Sequence, residues 1–145
     1  MPEAKIWVFF YGSYMNRAVL REVGLAPEGW EAASLPGFDI RIAPRANLVR
    51  CSEHTVYGVL ATATHAELDR LYAHARDELG EVYLPEAVLT QARDGTWRPA
   101  LCYIASDMVE RRADPAYVDR ILQPARQLGF PASYLARLES FRGGG

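Results

Sequence analysis

The chain has 145 residues, 50% of them hydrophobic, and a formal net charge of −2. This length fits one domain with a sizeable core. Acids and bases are interspersed, without the basic stripe or acidic block typical of proteins that bind nucleic acid, a membrane surface or a polycationic partner. Because no apolar stretch is long enough to span a bilayer and no secretory leader pattern is present, we expect a soluble, cytoplasmic protein.

The cysteines and histidines give no sign of a metal or redox site. Cys51 and Cys102 match no ligand or redox spacing, and we interpret both as buried thiols in a reducing compartment. His54, His65 and His74 do not pair with cysteine or carboxylate at ligand spacings, which favours surface or capping roles. The sequence also lacks phosphate-binding loops and a nucleophile elbow. We therefore predict no metal and no cofactor.

The N-terminal stretch Lys5–Phe10 is predicted to be a buried strand that stops abruptly at Tyr11-Gly12-Ser13-Tyr14. Glycine there permits close approach of a ligand, and successive free N–H groups at a strand-to-helix turn suit a carboxylate or an oxyanion. An ordinary tight turn is the alternative interpretation. Met15 to Val23 then follow helical spacing, and Gly24 is the predicted stop.

Two or three extended segments follow. Trp30–Ile42 alternates as a half-buried strand, with a bend or bulge predicted at Leu35–Gly37. Leu48–Cys51 and His54–Ala61 are predicted as separate strands. Within the second of these, Gly58 indicates close approach of another backbone.

The strongest predicted helix begins at Thr64, which forms a capping box with Glu67, and ends at Gly80. Residues 82–90 and 96–104 are predicted as strands of a hairpin that turns at Asp94-Gly95. Pro85 places the first of these strands at an edge or a bulge.

The C-terminal region is predicted to be helical. Asp114-Pro115 supplies the N-cap and first helical residue, Pro124 should kink or break the helix, and Gly129 should end it. A short helix is predicted from Pro131 to Phe141, followed by a frayed tail at residues 142–145. The order of elements indicates one α+β domain covering residues 1–145, with a mixed or antiparallel sheet that is compatible with a barrel.

Three carboxylates cluster where the long helix ends. The helical spacing points Asp77 to solvent and places Glu78 on the flank of the apolar stripe. Glu81 lies between the Gly80 cap and the strand that carries Tyr83. A half-buried carboxylate at such a junction has a raised pKa and is a usable base near neutral pH, whereas a solvated helix end is the alternative.

Several motifs, in order and spacing, resemble the γ-glutamylcyclotransferase family, including its AIG2-like and γ-glutamylamine cyclotransferase-related members. They are VFFYGS, VYGVL before the capped helix, YLPEAV after it, DPAYVDRIL and GFPASYLARLESF. The resemblance implies a small mixed β-barrel with flanking helices that acts on a small γ-glutamyl compound, as a monomer or homodimer. It also implies release of 5-oxoproline when the substrate's α-amino group attacks its own δ-carbonyl.

The resemblance also implies site residues. The substrate-binding loop would be Val8, Phe9, Phe10, Tyr11, Gly12 and Ser13, and Tyr117 would contact the substrate. A carboxylate must remove a proton, because an α-amino group with a pKa of about 8 is largely protonated at neutral pH.

Two positions depart from the family pattern. Tyr14 stands where many relatives have Asn, and Tyr72 stands where the pattern L-D-x-x-E-G has its catalytic glutamate. Alignment on Tyr83 instead brings Glu78 or Glu81 near that place, and we predict that one of the two is the base. The alternatives are a non-catalytic ligand-binding member of the fold and a γ-glutamyl hydrolase that uses water.

Overall fold

The computed structural model describes residues 4–143. Within them, the strands are β1 (Lys5–Phe10), β2 (Trp30–Ile42), β3 (Ala46–Thr64), β4 (Leu84–Ala92) and β5 (Trp97–Ile104). The helices are α1 (Arg17–Glu22), α2 (His65–Leu79), α3 (Pro115–Gln127) and α4 (Ala132–Ser140). Short 3₁₀ turns cover Ser13–Met15 and Phe141–Gly143. No helix of the described part is long and apolar enough to cross a membrane.

The sheet closes on itself in the order β1-β3-β2-β4-β5, which confirms the predicted α+β class with a mixed barrel. Four of the neighbouring pairs are antiparallel, and the closing pair, β1 with β5, is parallel through the single register pair Val8 and Leu101. The pairing of β4 with β2 involves only residues 91 and 92 of β4, so Pro85 lies where this strand has a free edge, as predicted.

Strand β1 is buried on both faces at its C-terminal end, where Val8, Phe9 and Phe10 are at most 1% exposed. Its neighbour β3 approaches it closely at Gly58, where an added Cβ would lie 2.3 Å from the carbonyl oxygen of Phe10. The predicted close backbone approach is confirmed, and it fixes the end of β1 just before the glycine turn.

The long hairpin of β2 and β3 is bent by a register shift. Pro36 pairs with Thr55 and Phe38 with Arg50, so two steps along β2 match five along β3. This confirms the bulge predicted at Leu35–Gly37. Ala46 is 13 residues from Val59, which pairs with Phe10, and a flat strand would separate them by about 43 Å. The bend instead brings the tip of the hairpin back over the end of β1.

A reciprocal amide clamp holds the hairpin tip there. The Asn47 side chain donates to the carbonyl of Ala105 at 2.7 Å and accepts from the N–H of Ala105 at 3.0 Å. Ala105 directly follows β5, so the clamp joins the start of β3 to the end of β5. The ends of β1, β2 and β5 and the beginnings of β3 and β4 therefore lie at the same end of the barrel.

Both ends of α2 follow the sequence prediction. Thr64 and Glu67 form the reciprocal capping box, and Gly80 adopts a left-handed conformation with φ +74°. The N–H of Gly80 bonds to the carbonyl of Arg76, as in an αL C-cap, and the N–H of Glu81 bonds to the carbonyl of Ala75. This motif fixes where Glu81 leaves the helix.

Four predictions need correction. Strand β3 is continuous, because its exposed middle, residues 52–54, keeps extended geometry through the bulge. Of the kink or break predicted at Pro124, the break does not occur, since α3 continues to Gln127 with Pro124 in its buried face. Cys51 is only half-buried, unlike Cys102. The predicted tail is ordered at Arg142, which pairs with Asp119 at 2.7 Å, and residues 144–145 lie outside the described part.

Candidate active site

A recess opens at the end of the barrel where β1, β2 and β5 finish. Five of its lining residues are tyrosines: Tyr11, Tyr14, Tyr72, Tyr83 and Tyr117. The remaining lining residues are Phe10, Gly12, Ser13, Arg45, Ala46, Ala75 and Leu79. They come from the turn after β1, the tip of the β2–β3 hairpin, one face of α2, the segment before β4 and the first turn of α3.

The backbone of Ala46 is held by two tyrosine hydroxyls. The N–H of Ala46 donates to Tyr117 Oη at 3.0 Å, and Tyr83 Oη donates to the Ala46 carbonyl at 2.6 Å. Ala46 is 4% exposed, so both backbone groups need a partner inside the protein. These bonds fix the hairpin tip as one wall of the recess.

The glycine turn forms the opposite wall. An added Cβ on Gly12 would lie 2.9 Å from Ala46 Cβ and 4.0 Å from Tyr117 Oη, so only glycine fits between the two walls without a shift. The 3₁₀ turn that follows has no side-chain cap at Gly12. Within residues 4–143, the backbone N–H groups of Ser13 and Tyr14 donate no hydrogen bond to protein, so both remain available to a ligand.

The recess tyrosines are neutral phenols at ordinary pH. Burial raises the pKa of Tyr11 and Tyr72 well above the usual value, and it raises that of Tyr14 to about 12. Burial is also the main cause of the raised pKa of Tyr83 and Tyr117. Each hydroxyl therefore keeps a proton that it can donate.

Two of these protons are already used within the protein. Tyr11 Oη donates to the carbonyl of Tyr103 at 2.6 Å, and Tyr83 donates to Ala46. Tyr117 only accepts, and the hydroxyls of Tyr14 and Tyr72 have no hydrogen-bond partner among the described residues. Three phenol donors, together with two backbone N–H groups, therefore surround the recess, and this set suits an anionic group.

The recess is narrow. With its open mouth it has a volume of about 440 Å³, but a water-sized sphere fits into only about 50 Å³ of it. Tyr14 and Tyr72 meet edge to face with ring centroids 5.9 Å apart and form part of its wall. Such a shape accommodates a slender chain better than a bulky ring.

The two predicted bases lie differently with respect to the recess. Glu78 is exposed on the last turn of α2, whereas Glu81 is half-buried just after the left-handed Gly80 cap. Neither side chain lines the recess. Burial is the main cause of the raised pKa of Tyr83 and of Tyr117, and the negative charge of Glu81 adds a smaller contribution to each. Glu81 therefore acts on two recess tyrosines from outside the lining.

The predicted binding loop divides in the structure. Phe10, Tyr11, Gly12 and Ser13 line the recess together with Tyr117. Val8 and Phe9 lie in the core behind it, fully buried. These two residues therefore support the loop by packing in the core of the barrel.

Neither Arg45 nor Ala46 was among the predicted site residues, yet both line the recess. No local sequence signal marks them. They lie at the tip of the β2–β3 hairpin, and the bend of that hairpin brings them to the site. Ala75 and Leu79 belong to the predicted apolar stripe of α2. The C-terminal end of that stripe lines the recess.

The histidines remain outside this arrangement. His54, His65 and His74 are exposed, as the sequence indicates. In the part of the chain that the structure describes, no group of three or more histidine, cysteine or carboxylate side chains lies close enough to hold a metal ion.

Comparison with solved structures identifies the fold. A human protein of uncharacterised function superposes with a TM-score of 0.82 at 17% identity, covering 95% of this chain and 88% of the other. A structure described as a γ-glutamyl cyclotransferase gives 0.80 at 17% identity, with 94% and 88% covered. A yeast γ-glutamyl cyclotransferase described as specific to glutathione gives 0.67 at 14% identity, with 97% and 96% covered.

Comparison by sequence gives the family. No match was found among curated proteins. The family model described as γ-glutamyl cyclotransferase, AIG2-like, matches residues 8–120, which run from the last three residues of β1 through the glycine turn, the whole hairpin and α2 to Tyr117. The chain therefore belongs to the AIG2-like γ-glutamyl cyclotransferase family.

Proposed function

We propose that the protein binds a small γ-glutamyl compound in the tyrosine-lined recess and releases its γ-glutamyl group as 5-oxoproline. The observation that carries the proposal is the gap between Gly12 and Tyr117, where free N–H groups and phenol protons face a narrow cavity. The family and the neighbouring γ-glutamyl cyclotransferase structures support the same reaction class.

In the proposed reaction the α-amino nitrogen of the substrate attacks its own δ-carbonyl carbon. A five-membered lactam forms, the C–N bond to the leaving amine breaks, and the amine departs with a proton taken from the original ammonium group. Holding the γ-glutamyl chain curled supplies much of the rate, since intramolecular geometry is equivalent to a very high effective concentration.

In this scheme the recess residues bind the substrate and hold it in the reactive orientation. The N–H groups of Ser13 and Tyr14 and the phenols of Tyr72 and Tyr117 donate to the substrate's α-carboxylate and to the oxyanion that develops at the δ-carbon. Because these phenols have raised pKa values, they stay protonated and do not act as the base.

Glu81 is the proposed base. It is the half-buried carboxylate of the predicted pair, and its charge already acts on Tyr83 and Tyr117. It would accept a proton from the substrate ammonium group and return one to the leaving nitrogen. Its backbone leaves the helix at the left-handed Gly80 cap, and in the proposed reaction its side chain turns toward the recess.

A second candidate function is non-catalytic binding of the same class of ligand. One observation favours it: none of the residues that line the recess is a carboxylate, and Tyr72 occupies the place where the family pattern has its glutamate. The same recess would then hold a γ-glutamyl compound or another carboxylate without turning it over.

Product analysis distinguishes the candidates. The purified protein is incubated with a panel of γ-glutamyl amines and amino acids, and the products are identified by mass spectrometry while binding is followed by calorimetry. We expect 5-oxoproline and the free amine in equal amounts. Free glutamate in place of 5-oxoproline would identify a hydrolase, and binding without any product would establish the non-catalytic function.

A further inference from the structure

A second cavity lies next to the recess, beside α1 and α3, and we call it the annex. Five residues line both spaces: Ser13, Tyr14, Arg45, Leu79 and Tyr117. With its open mouth the annex has a volume of about 560 Å³, compared with about 440 Å³ for the recess. The two cavities are therefore neighbours on either side of shared residues that include Tyr117.

Two arginines give the annex its chemical character. The guanidinium of Arg45 lies over the ring of Tyr117, 4.7 Å from its centroid. Arg120 lines the annex and follows Tyr117 by three residues on α3, so the two side chains lie on neighbouring positions of one helix face. Burial raises the pKa of Tyr117, and the charges of both arginines oppose this rise, so both charges act at its hydroxyl.

Neither arginine is neutralised by a carboxylate. Within residues 4–143, the ion pairs closer than 4 Å involve other arginines and Lys5. Glu22 and His74 also line the annex, and both are exposed, as is Arg120. The lining therefore has two guanidinium groups and one carboxylate, whereas Glu81, whose charge also acts on Tyr117, is not part of it.

The position of Arg45 strengthens this charge. Arg45 is half-buried at the junction of recess and annex, where solvent screens its charge less than at the open surface. A guanidinium fixed over an aromatic ring offers a rigid set of donors to a carboxylate. The annex is therefore built to receive an anionic group that is connected to whatever occupies the recess.

We propose that the annex selects γ-glutamyl compounds whose leaving amine carries a carboxylate, as in a γ-glutamyl amino acid or peptide, over those with a neutral or cationic leaving amine. The proposal rests on the proposed function, which places the γ-glutamyl half of the ligand in the recess. The leaving half then extends past Tyr117 between Arg45 and Arg120. When the amide bond breaks, the free amino acid or peptide departs through the annex.

The test compares three probes that differ only at the leaving amine: γ-glutamylalanine, γ-glutamylalaninamide and γ-glutamylethylenediamine. Binding is measured by calorimetry and turnover by 5-oxoproline release. We expect γ-glutamylalanine to bind at least about fivefold more tightly than its amide, a ratio that corresponds to one partly screened ion pair. The ammonium-bearing probe should bind most weakly.

Arginine variants assign the preference to the annex. Arg120 lines the annex but not the recess, so Arg120→Gln should reduce the ratio of the affinities for γ-glutamylalanine and its amide, with the larger loss for γ-glutamylalanine. Arg112→Gln makes the same change of charge at an exposed site outside both cavities and should leave the preference intact. Arg45→Gln serves as a second probe. It should weaken the binding of γ-glutamylalanine more than that of the other two compounds. If Arg45 bound only the α-carboxylate, which all three compounds share, the variant would weaken all three equally.

The outcomes separate this proposal from the proposed function. Equal turnover of acid and amide, unchanged in Arg120→Gln, would overturn the annex proposal and leave the cyclotransferase function intact. A carboxylate preference in binding without 5-oxoproline would support the annex and overturn the catalytic function. Tightest binding of the ammonium-bearing probe, or no binding of any probe, would overturn the annex proposal.

Discussion

Tyr72 stacks face to face on Tyr103, with ring centroids 3.8 Å apart and an angle of 9° between the ring planes. The pair joins α2 to the end of β5, beside the point where Tyr11 bonds to the Tyr103 carbonyl. Tyr72 is thus a structural part of the recess wall at the very position where the family pattern has a glutamate. Its ring holds the wall, and its hydroxyl remains free for a ligand.

Replacement of Tyr72 by phenylalanine separates these two roles. The stack on Tyr103 should persist, because it depends on the rings, so the thermal unfolding midpoint of Tyr72→Phe should match that of the wild type. Affinity for a γ-glutamyl ligand should fall about fivefold to tenfold, since one hydrogen bond is lost. Calorimetry and thermal unfolding measure the two effects. Tyr57→Phe, which lies outside the recess in another aromatic cluster, is the control and should change neither.

The two predicted bases can be separated by isosteric substitution. Glu81→Gln should lower the rate of 5-oxoproline release by about 100-fold or more, the usual contribution of a general base, without a change in fold. Glu78→Gln should retain the wild-type rate, because that carboxylate is exposed and does not line the recess. Steady-state kinetics on one substrate give both values. Full activity of both variants would exclude the pair and favour a base outside it.

The gap at Gly12 predicts a steric effect that a second substitution should relieve. A methyl group in Gly12→Ala would lie 2.9 Å from Ala46 Cβ and should narrow the recess, weakening ligand binding about tenfold or more. The double variant Gly12→Ala/Ala46→Gly removes the opposing methyl group and should regain part of the lost affinity. Gly143→Ala, where a Cβ would meet nothing, controls for the change of residue type. If the double variant binds no more tightly than Gly12→Ala alone, the contact between residues 12 and 46 is not the cause of the lost affinity.

The hydroxyl of Tyr83 should stabilise the hairpin tip. Tyr83→Phe leaves the buried carbonyl of Ala46 without its 2.6 Å donor, and the free energy of unfolding should fall by about 1–2 kcal/mol. Urea unfolding followed by circular dichroism measures this loss. Because Ala46 is also a wall of the recess, ligand affinity should fall with it. An unchanged stability would mean that water replaces the hydroxyl.

The phenols of the recess should make the fold sensitive to alkali. The pKa of Tyr14 is raised from 10.0 to about 12, chiefly by burial, so between these values the folded state keeps a proton that the unfolded chain has lost. The free energy of unfolding should therefore be constant below pH 10 and decrease as the pH rises toward 12. Tyr14→Phe should show a shallower decrease over that interval. A parallel decrease in both proteins would assign the effect to other groups.

The sequence predicted most elements because their signals are local. The capping box at Thr64, the glycine stops and the edge proline Pro85 each depend on neighbouring residues and were confirmed. The division of β3 was wrong for a physical reason: residues 52–54 are polar and exposed, and they interrupt the apolar alternation at the place where the hairpin bulges. The irregularity was real, but β3 stays extended across it and pairs with β2 on both sides.

The site could be predicted only in part. The turn Tyr11–Ser13 and Tyr117 were found through the family motifs, and they lie around one recess. Arg45 and Ala46 could not be found: the bulge at Leu35–Gly37 was predicted, but the sequence does not show that the bent hairpin of 35 residues brings its tip to the end of the barrel. The preference for Glu81 over Glu78 likewise needed the burial of the two side chains, which differs although they are three residues apart.

The clamp between Asn47 and Ala105 has a consequence for the order of folding. The two residues are 58 positions apart, and Tyr11 and Tyr103 are 92 apart, so the walls of the recess meet only after the most distant parts of the chain have come together. Contacts of such long range form late and slowly. Recovery of ligand binding after dilution from denaturant should therefore lag behind the return of helical circular dichroism, and a ligand added during refolding should report the last step of assembly.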